Sequence, residues 1–192
     1  MKLSPKDYFY ISAGVIGLAI AFKQRYRLKF LESFLNGNLS KNPFLSVFKG
    51  MHNGINYRIT LSSRNEFLIG GLNLIIKLDI KTPVSFLIYR KGTKPVLIDY
   101  LKSRVKTNNP EIDDIMEIRI NNEYQFKNLE PIIPNLQNII KIGFDKIKSD
   151  EYSVTLIKTI NSDDEVTPEL LKPALEEIHL INQKLQRHIS QP

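Results

Sequence analysis

Between Tyr8 and Phe22 the chain runs for 15 residues without a charge, and Lys23, Arg25, Arg27 and Lys29 then follow within seven positions. The run is apolar on every face of a helix, whereas a helix on the surface of a soluble domain alternates faces. Ser4 suits an N-cap, Pro5 the first helical position and Asp7 the third, a capping-box-like start. Fifteen residues at about 1.5 Å each give roughly 22 Å, against a hydrocarbon core of ~30 Å. The flanks extend the reach: Tyr8, Tyr10 and Tyr26 suit the interface, and Lys6, Lys23 and Arg25 can extend toward water. The segment therefore reads as a single transmembrane helix, anchored by Tyr8, Val15, Ile16, Leu18, Ile20 and Phe22. Lys23, Arg25, Arg27 and Lys29 form its juxtamembrane basic flank.

Two other fates are weighed against the anchor. Ala19-Ile20-Ala21 has the form of a signal-peptidase site, but the residues before the run include Asp7 and little positive charge. The chain after such a cut would open on FKQRYRLKF, a cluster that resists translocation. A helix buried in a core is the third reading. Positive charge is heavier after the run than before it, which places the C-terminal part in the cytoplasm. Ala13, Gly17 and Ala21 recur every fourth residue and form a small-residue face for helix–helix packing, with a second copy or a membrane protein as partner.

The chain has 192 residues and a formal charge of +7. Residues 1–30 hold six basic side chains against Asp7; the rest of the chain carries 21 basic and 19 acidic residues, a net of +2. A nucleic-acid-binding domain shows its basic excess over the folded body. Here most of the excess borders the apolar run, which argues for a membrane-flanking role and against a general polyanion binder; no nucleic-acid partner is expected. The absence of cysteine excludes disulfides, thiolate metal sites and a Cys nucleophile.

Beyond the run, Leu28, Phe30, Leu31, Phe34 and Leu35 keep helical spacing up to Asn36-Gly37-Asn38, which predicts an amphipathic arm over 31–42. A soluble α+β domain follows over 43–192. Val47–Met51 and Ile55–Leu61 flank Asn53-Gly54, the pattern of a tight hairpin. Leu72, Leu74, Ile76, Leu78 and Ile80 alternate with polar residues after the turn-forming Gly70-Gly71. Val84–Tyr89 continues an antiparallel meander, and residues 95–106 fit either a strand or a short helix. Ile115–Ile120 reads as a strand and Leu129–Ile142 as a helix regular after Pro134. Phe144–Lys148 and Tyr152–Ile160 read as paired strands. Thr167-Pro168 opens a C-terminal amphipathic helix whose stripe is Leu171, Leu175, Ile178, Leu185 and Ile189.

Chemistry-bearing motifs are sparse. His179 and His188 point apart on the last helix, and His52 stands beside a turn. No metal-ligand spacing, phosphate-binding glycine loop or nucleophile elbow occurs. Asp113-Asp114 and Asp163-Asp164-Glu165 read as solvated loop acids. No cofactor is expected. Arg90–Lys106 carries six basic residues against Asp99 and is the basic cluster of the folded part, suited to acidic lipid or an acidic partner. The expectation is a membrane-anchored, non-catalytic interaction or scaffold module. The alternatives are a lipid or apolar-ligand binding domain near the membrane, and an enzyme with an unrecognised site.

Overall fold

The computed structural model describes residues 5–42, 46–63, 72–93, 97–161 and 165–189; for 5–13, 16, 63, 97–98 and 188–189 it describes the backbone alone. The apolar run and its basic flank form one helix, α1 (Pro5–Lys29), followed by a 3-10 turn over Phe30–Ser33. Among the described residues nine strands follow. They are β1 (Gly37–Leu39), β2 (Val47–His52), β3 (Ile55–Ser63), β4 (Leu72–Asp79), β5 (Phe86–Arg90), β6 (Ser103–Val105), β7 (Met116–Ile120), β8 (Lys146–Ser149) and β9 (Ser153–Ile160). The helices after α1 are the short α2 (Pro110–Asp113), α3 (Ile133–Ile142) and α4 (Pro168–Ile189). The fold is α+β, with a large antiparallel sheet and a C-terminal helix.

All nine strands join one sheet in the order β1-β2-β3-β4-β9-β8-β5-β7-β6. The first four are a meander, as their alternation predicts. Asn53 and Gly54 both take positive φ, 48° and 83°, the geometry a two-residue hairpin needs between β2 and β3. The meander does not run on through β5. The β8–β9 hairpin inserts between β4 and β5, so β4 pairs with β9 and β5 with β8. Alternation fixes which face a strand buries, but it carries no information on which neighbour it takes.

One register row shows how the core is made. Phe48, Ile59, Ile76, Leu156, Ile147, Ile88 and Ile118 face one another across seven successive strands. All are buried. Each contributes roughly 1.5–3 kcal/mol by leaving water. The same core takes in Leu136, Ile139 and Ile140 of α3, and Leu171, Leu175, Ile178, Ile181 and Leu185 of α4. A polar clamp ties these two helices. Glu177 accepts from Asn135 at 2.7 Å and from Asn138 at 2.9 Å, and Lys184 donates to Asn135 at 2.8 Å. Where β1 meets β2, Gly37 lies opposite Gly50 because the chains come too close for a side chain: a Cβ on Gly50 would strike the Asn36 carbonyl and the Tyr57 ring.

The start of the chain corrects two expectations. No helix among the described residues is long and apolar enough to cross a membrane, so the transmembrane span over Tyr8–Phe22 is not supported. The uncharged run is short, and the turns that would lengthen it belong to the domain. Leu28 and Leu31, three residues apart on one face, are both fully buried in the core. The stretch 31–42, expected as an arm apart from the domain, is likewise built in. Leu31 and Leu35 are core residues, and Gly37–Leu39 is an edge strand of the sheet. Helical spacing at 28–35 reports a buried face; it does not say what covers that face. Gly70-Gly71, expected as a turn, lies outside the described residues.

Candidate functional site

The C-terminal turns of α1 stand against the sheet and the start of α4, and a cleft of about 830 Å³ opens between them. One wall is Tyr26 to Phe30, the last turn of α1 and the residue after it. The floor is Leu61 of β3 and Ile160 of β9. These residues are brought close through the strand between them, since Leu61 pairs with Leu74 and Ile160 with Leu72 on β4. The far wall is Val166 to Glu169. Leu28, Leu61 and Ile160 are buried, so the depth of the cleft is hydrocarbon.

Charged side chains gather toward the rim, although the Arg27 Nε is itself buried. Arg27 is half-buried and Lys29 exposed on the α1 side. Opposite them, Thr167 caps α4 by accepting from the Leu170 amide at 3.3 Å. Glu169 sits in the first turn of that helix. A hydrogen bond from its own backbone amide and another from the Thr167 hydroxyl hold its carboxyl below the usual range, and Lys172 adds to this. Tyr26 and Phe30 stand at the mouth, 81% and 57% exposed, and Phe30 meets Phe34 edge-to-face at 5.2 Å. A second concavity of about 580 Å³ lies along the same helix, where Phe22, Tyr26 and Lys29 face Leu39 and Lys41. The volume of the first cleft falls in the range of small-molecule sites, about 300–1,000 Å³, and its apolar depth with a few polar groups at the edge is their usual chemistry.

The residues singled out from the sequence are distributed as follows. Arg25 donates to the Ser40 carbonyl at 2.7 Å and the Asn42 carbonyl at 3.1 Å, clamping α1 to the chain that follows it. Ser46 donates to the Ala21 carbonyl at 2.9 Å. Ile20 and Ala21 are half-buried, Lys23 is exposed, and Val15, Leu18 and Phe22 face solvent at 61%, 43% and 56% exposure. A Cβ on Gly17 would meet nothing within 4 Å, so that part of the small-residue face is open. The side chains of Tyr8, Ala13 and Ile16 lie outside those described. Of the four basic residues after the run, Arg27 and Lys29 reach the cleft.

Sequence reasoning missed the sheet-and-helix side of the cleft. Leu61 and Ile160 were legible as inward positions on their strands, but their meeting depends on the β3-β4-β9 order. It also missed a pairing 124 residues apart: His52 lies 3.1 Å from the Glu176 carboxylate, and the His52 and His179 rings stand edge-on at 6.4 Å. No group of three or more His, Asp or Glu among the described residues is arranged to hold a metal ion. Asp113 accepts from the amide and hydroxyl of Thr107, a loop-bracing role.

Comparison with protein-family models and with curated proteins finds no match. The fold recurs in a solved structure. The crystal structure of the mycobacterial trehalose monomycolate transport factor A, TtfA, superposes over 86% of this chain and 94% of its own, with a TM-score of 0.53 and 11% sequence identity. At that identity the likeness is one of fold.

Proposed function

We propose that this protein is a binding module for an amphiphile, taking an apolar chain into the cleft between α1 and α4 and an anionic head at its Arg27–Lys29 rim. The observation that carries the reading is the cleft itself: about 830 Å³, floored by Leu61 and Ile160, with cationic side chains on one edge. The solved structure of like fold is, by its title, a transport factor for trehalose monomycolate; that agrees with the reading without carrying it. The test is titration of the full-length protein with a fluorescent fatty-acid probe. Val166→Arg, at the half-buried wall, and Lys29→Glu, at the exposed rim, should each weaken binding at least fivefold while circular dichroism stays unchanged. Binding that neither substitution alters would sink the proposal, as would no saturable binding by the parent chain.

A second reading rests on α1. Val15, Leu18 and Phe22 are exposed beside the open surface at Gly17. Such a helix face suits a membrane interface or another small-residue helix, with the sheet domain on the cytoplasmic side. Carbonate washing of membranes from cells making the tagged chain separates the cases. Retention of the chain in the washed pellet supports membrane residence, and complete release with no cross-linked complex counts against both forms of it.

A further inference from the structure

The sheet face opposite the cleft carries a line of cations set by the register. Lys49 pairs with Arg58, Arg58 with Lys77, Lys77 with Thr155, and Thr155 with Lys148. The same row continues through Leu87 to Arg119 and Arg104. Side chains directly opposed across strands share a face, so this row presents Lys49, Arg58, Lys77, Lys148, Arg119 and Arg104 on one side. With strands about 4.8 Å apart, Lys49 and Lys148 stand about 19 Å apart and the whole row spans about 34 Å.

Like charges directly opposite one another oppose sheet formation, yet this row contains three such pairs: Lys49–Arg58, Arg58–Lys77 and Arg119–Arg104. The acids facing the row neutralise only part of it, and Asp150 also acts on Lys77 through space. Asp79 is held by Arg58 at 3.1 Å. Glu117 is shared by Arg119 at 2.6 Å and Arg104 at 3.5 Å. Asp99, from the 3-10 turn Leu97–Leu101, takes Lys146 at 3.1 Å and the Tyr89 hydroxyl. Asp150, at the β8–β9 turn, is occupied by the Ser153 hydroxyl and the Tyr152 amide. Among the described residues Lys49, Lys77 and Lys148 make no ion pair. Lys49 and Lys148 are exposed and Lys77 half-exposed. Lys102, beside Ser85 of the segment leading into β5, adds a further cation: its ammonium is disfavoured by burial and by the neighbouring Lys148 and Lys146. The helices α3 and α4 pack on the other face; on this one the Leu97–Leu101 turn covers the end at Leu87 and Arg119, both buried, and among the described residues the field is open from Lys49 to Lys148.

We infer that this face docks on a surface of anionic lipid headgroups, with Lys49, Arg58, Lys77 and Lys148 as the contact row. A planar array of cations matches a planar array of phosphates, and polybasic clusters of this size bind acidic bilayers. Nucleic acid fits less well. Single strands are held on exposed aromatic platforms for their bases, and the contact row Lys49, Arg58, Lys77, Thr155 and Lys148 holds no aromatic residue; the exposed Tyr100 lies beyond it, against Arg119 at the covered end. The row is on the far face from the amphiphile cleft, and its docking role does not depend on that cleft being filled.

The test is co-sedimentation of the full-length protein with vesicles of phosphatidylcholine alone and with about one-third phosphatidylglycerol, at low and at 0.5 M salt. The expected result is tighter binding to the anionic vesicles, weakened by salt. The triple variant K49E/K77E/K148E, which places carboxylates beside Arg58, should lose that preference by at least tenfold, and K49Q/K77Q/K148Q should lose a smaller part. Lys172→Glu on α4, facing away from the row, should leave it unchanged. Equal binding to both vesicle types overturns the proposal. So does a triple variant with the parent preference, or a chain that ignores anionic vesicles but captures a single-stranded oligonucleotide.

Discussion

Replacing Leu28 by alanine tests whether α1 is part of the domain or an appendage beside it. Leu28 is fully buried, on the wall of the cleft, and belongs to the same core as Leu61 and Ile160. Truncating a buried leucine removes its transfer free energy and leaves a cavity, a loss of about 2–5 kcal/mol. At about 3 kcal/mol, within that range, the folded-to-unfolded ratio falls by a factor of roughly one to two hundred. Native domains hold only about 5–15 kcal/mol in total, so the shift is large on that scale. Leu18→Ala is the internal control. Leu18 lies ten positions earlier on the same helix and is 43% exposed, so its loss should stay within about 0.5 kcal/mol. Urea unfolding followed by circular dichroism reads both variants, with an unchanged slope confirming that the same surface is exposed. The Leu28 variant should also bind the fatty-acid probe more weakly. If the two substitutions shift the midpoint equally, or if Leu28→Ala shifts it by less than about 0.5 kcal/mol, α1 is not docked and the cleft does not exist in solution.

Three further predictions concern the sheet. Gly50→Ala should cost about 1–3 kcal/mol by overpacking, because the added methyl meets the Asn36 carbonyl and the Tyr57 ring; thermal unfolding reads it. Burial pushes the Tyr57 phenol up to about 12, from an ordinary 10.0. Its contribution to stability is therefore complete below pH 10 and is lost as the pH rises through 12. Tyr152 is also raised, by Glu151, so absorbance titration at 295 nm should show more than one tyrosine ionising late, and Tyr57→Phe should remove one tyrosine's worth of the latest step, near pH 12. The Lys102 ammonium is held below its usual range by burial first and then by Lys148 and Lys146, with Asp99 opposing. The unfolded chain thus holds this proton more firmly, so this group's penalty fades as pH rises through its folded value toward 10.5. Lys102→Met should be neutral or stabilising at pH 7, measured by urea midpoint.

The local rules of the chain were legible where a single element decides the outcome. Asn53-Gly54 specifies its hairpin, Thr167-Pro168 starts α4, and Leu74, Ile76 and Leu78 announce an inward face by alternation alone. What escaped were facts held jointly by distant elements. The β8–β9 hairpin enters the sheet beside β4 and not at its end, and no residue in either strand encodes that neighbour. Lys49, Arg58, Lys77 and Lys148 read individually as ordinary outward positions. Only the register makes them a line, which is why charge counting found the cluster at Arg90–Lys106 and missed the longer one. Tyr8–Phe22 was read by composition as a span because an all-round apolar helix satisfies both a bilayer and a docked position, and the difference lies in Leu28 and Leu31, beyond the run itself.

Both outer strands of the sheet are three residues long, β1 at Gly37–Leu39 and β6 at Ser103–Val105. A margin that short offers few free amides and carbonyls to a newcomer, and β6 carries Arg104 at its centre, a charge of the kind that deters strand addition. Nine strands would otherwise make a broad template for end-to-end growth into ribbons or fibrils. Clipped at both borders, the sheet gives little purchase to propagation and leaves its broad surfaces and α1 as the larger areas for a companion.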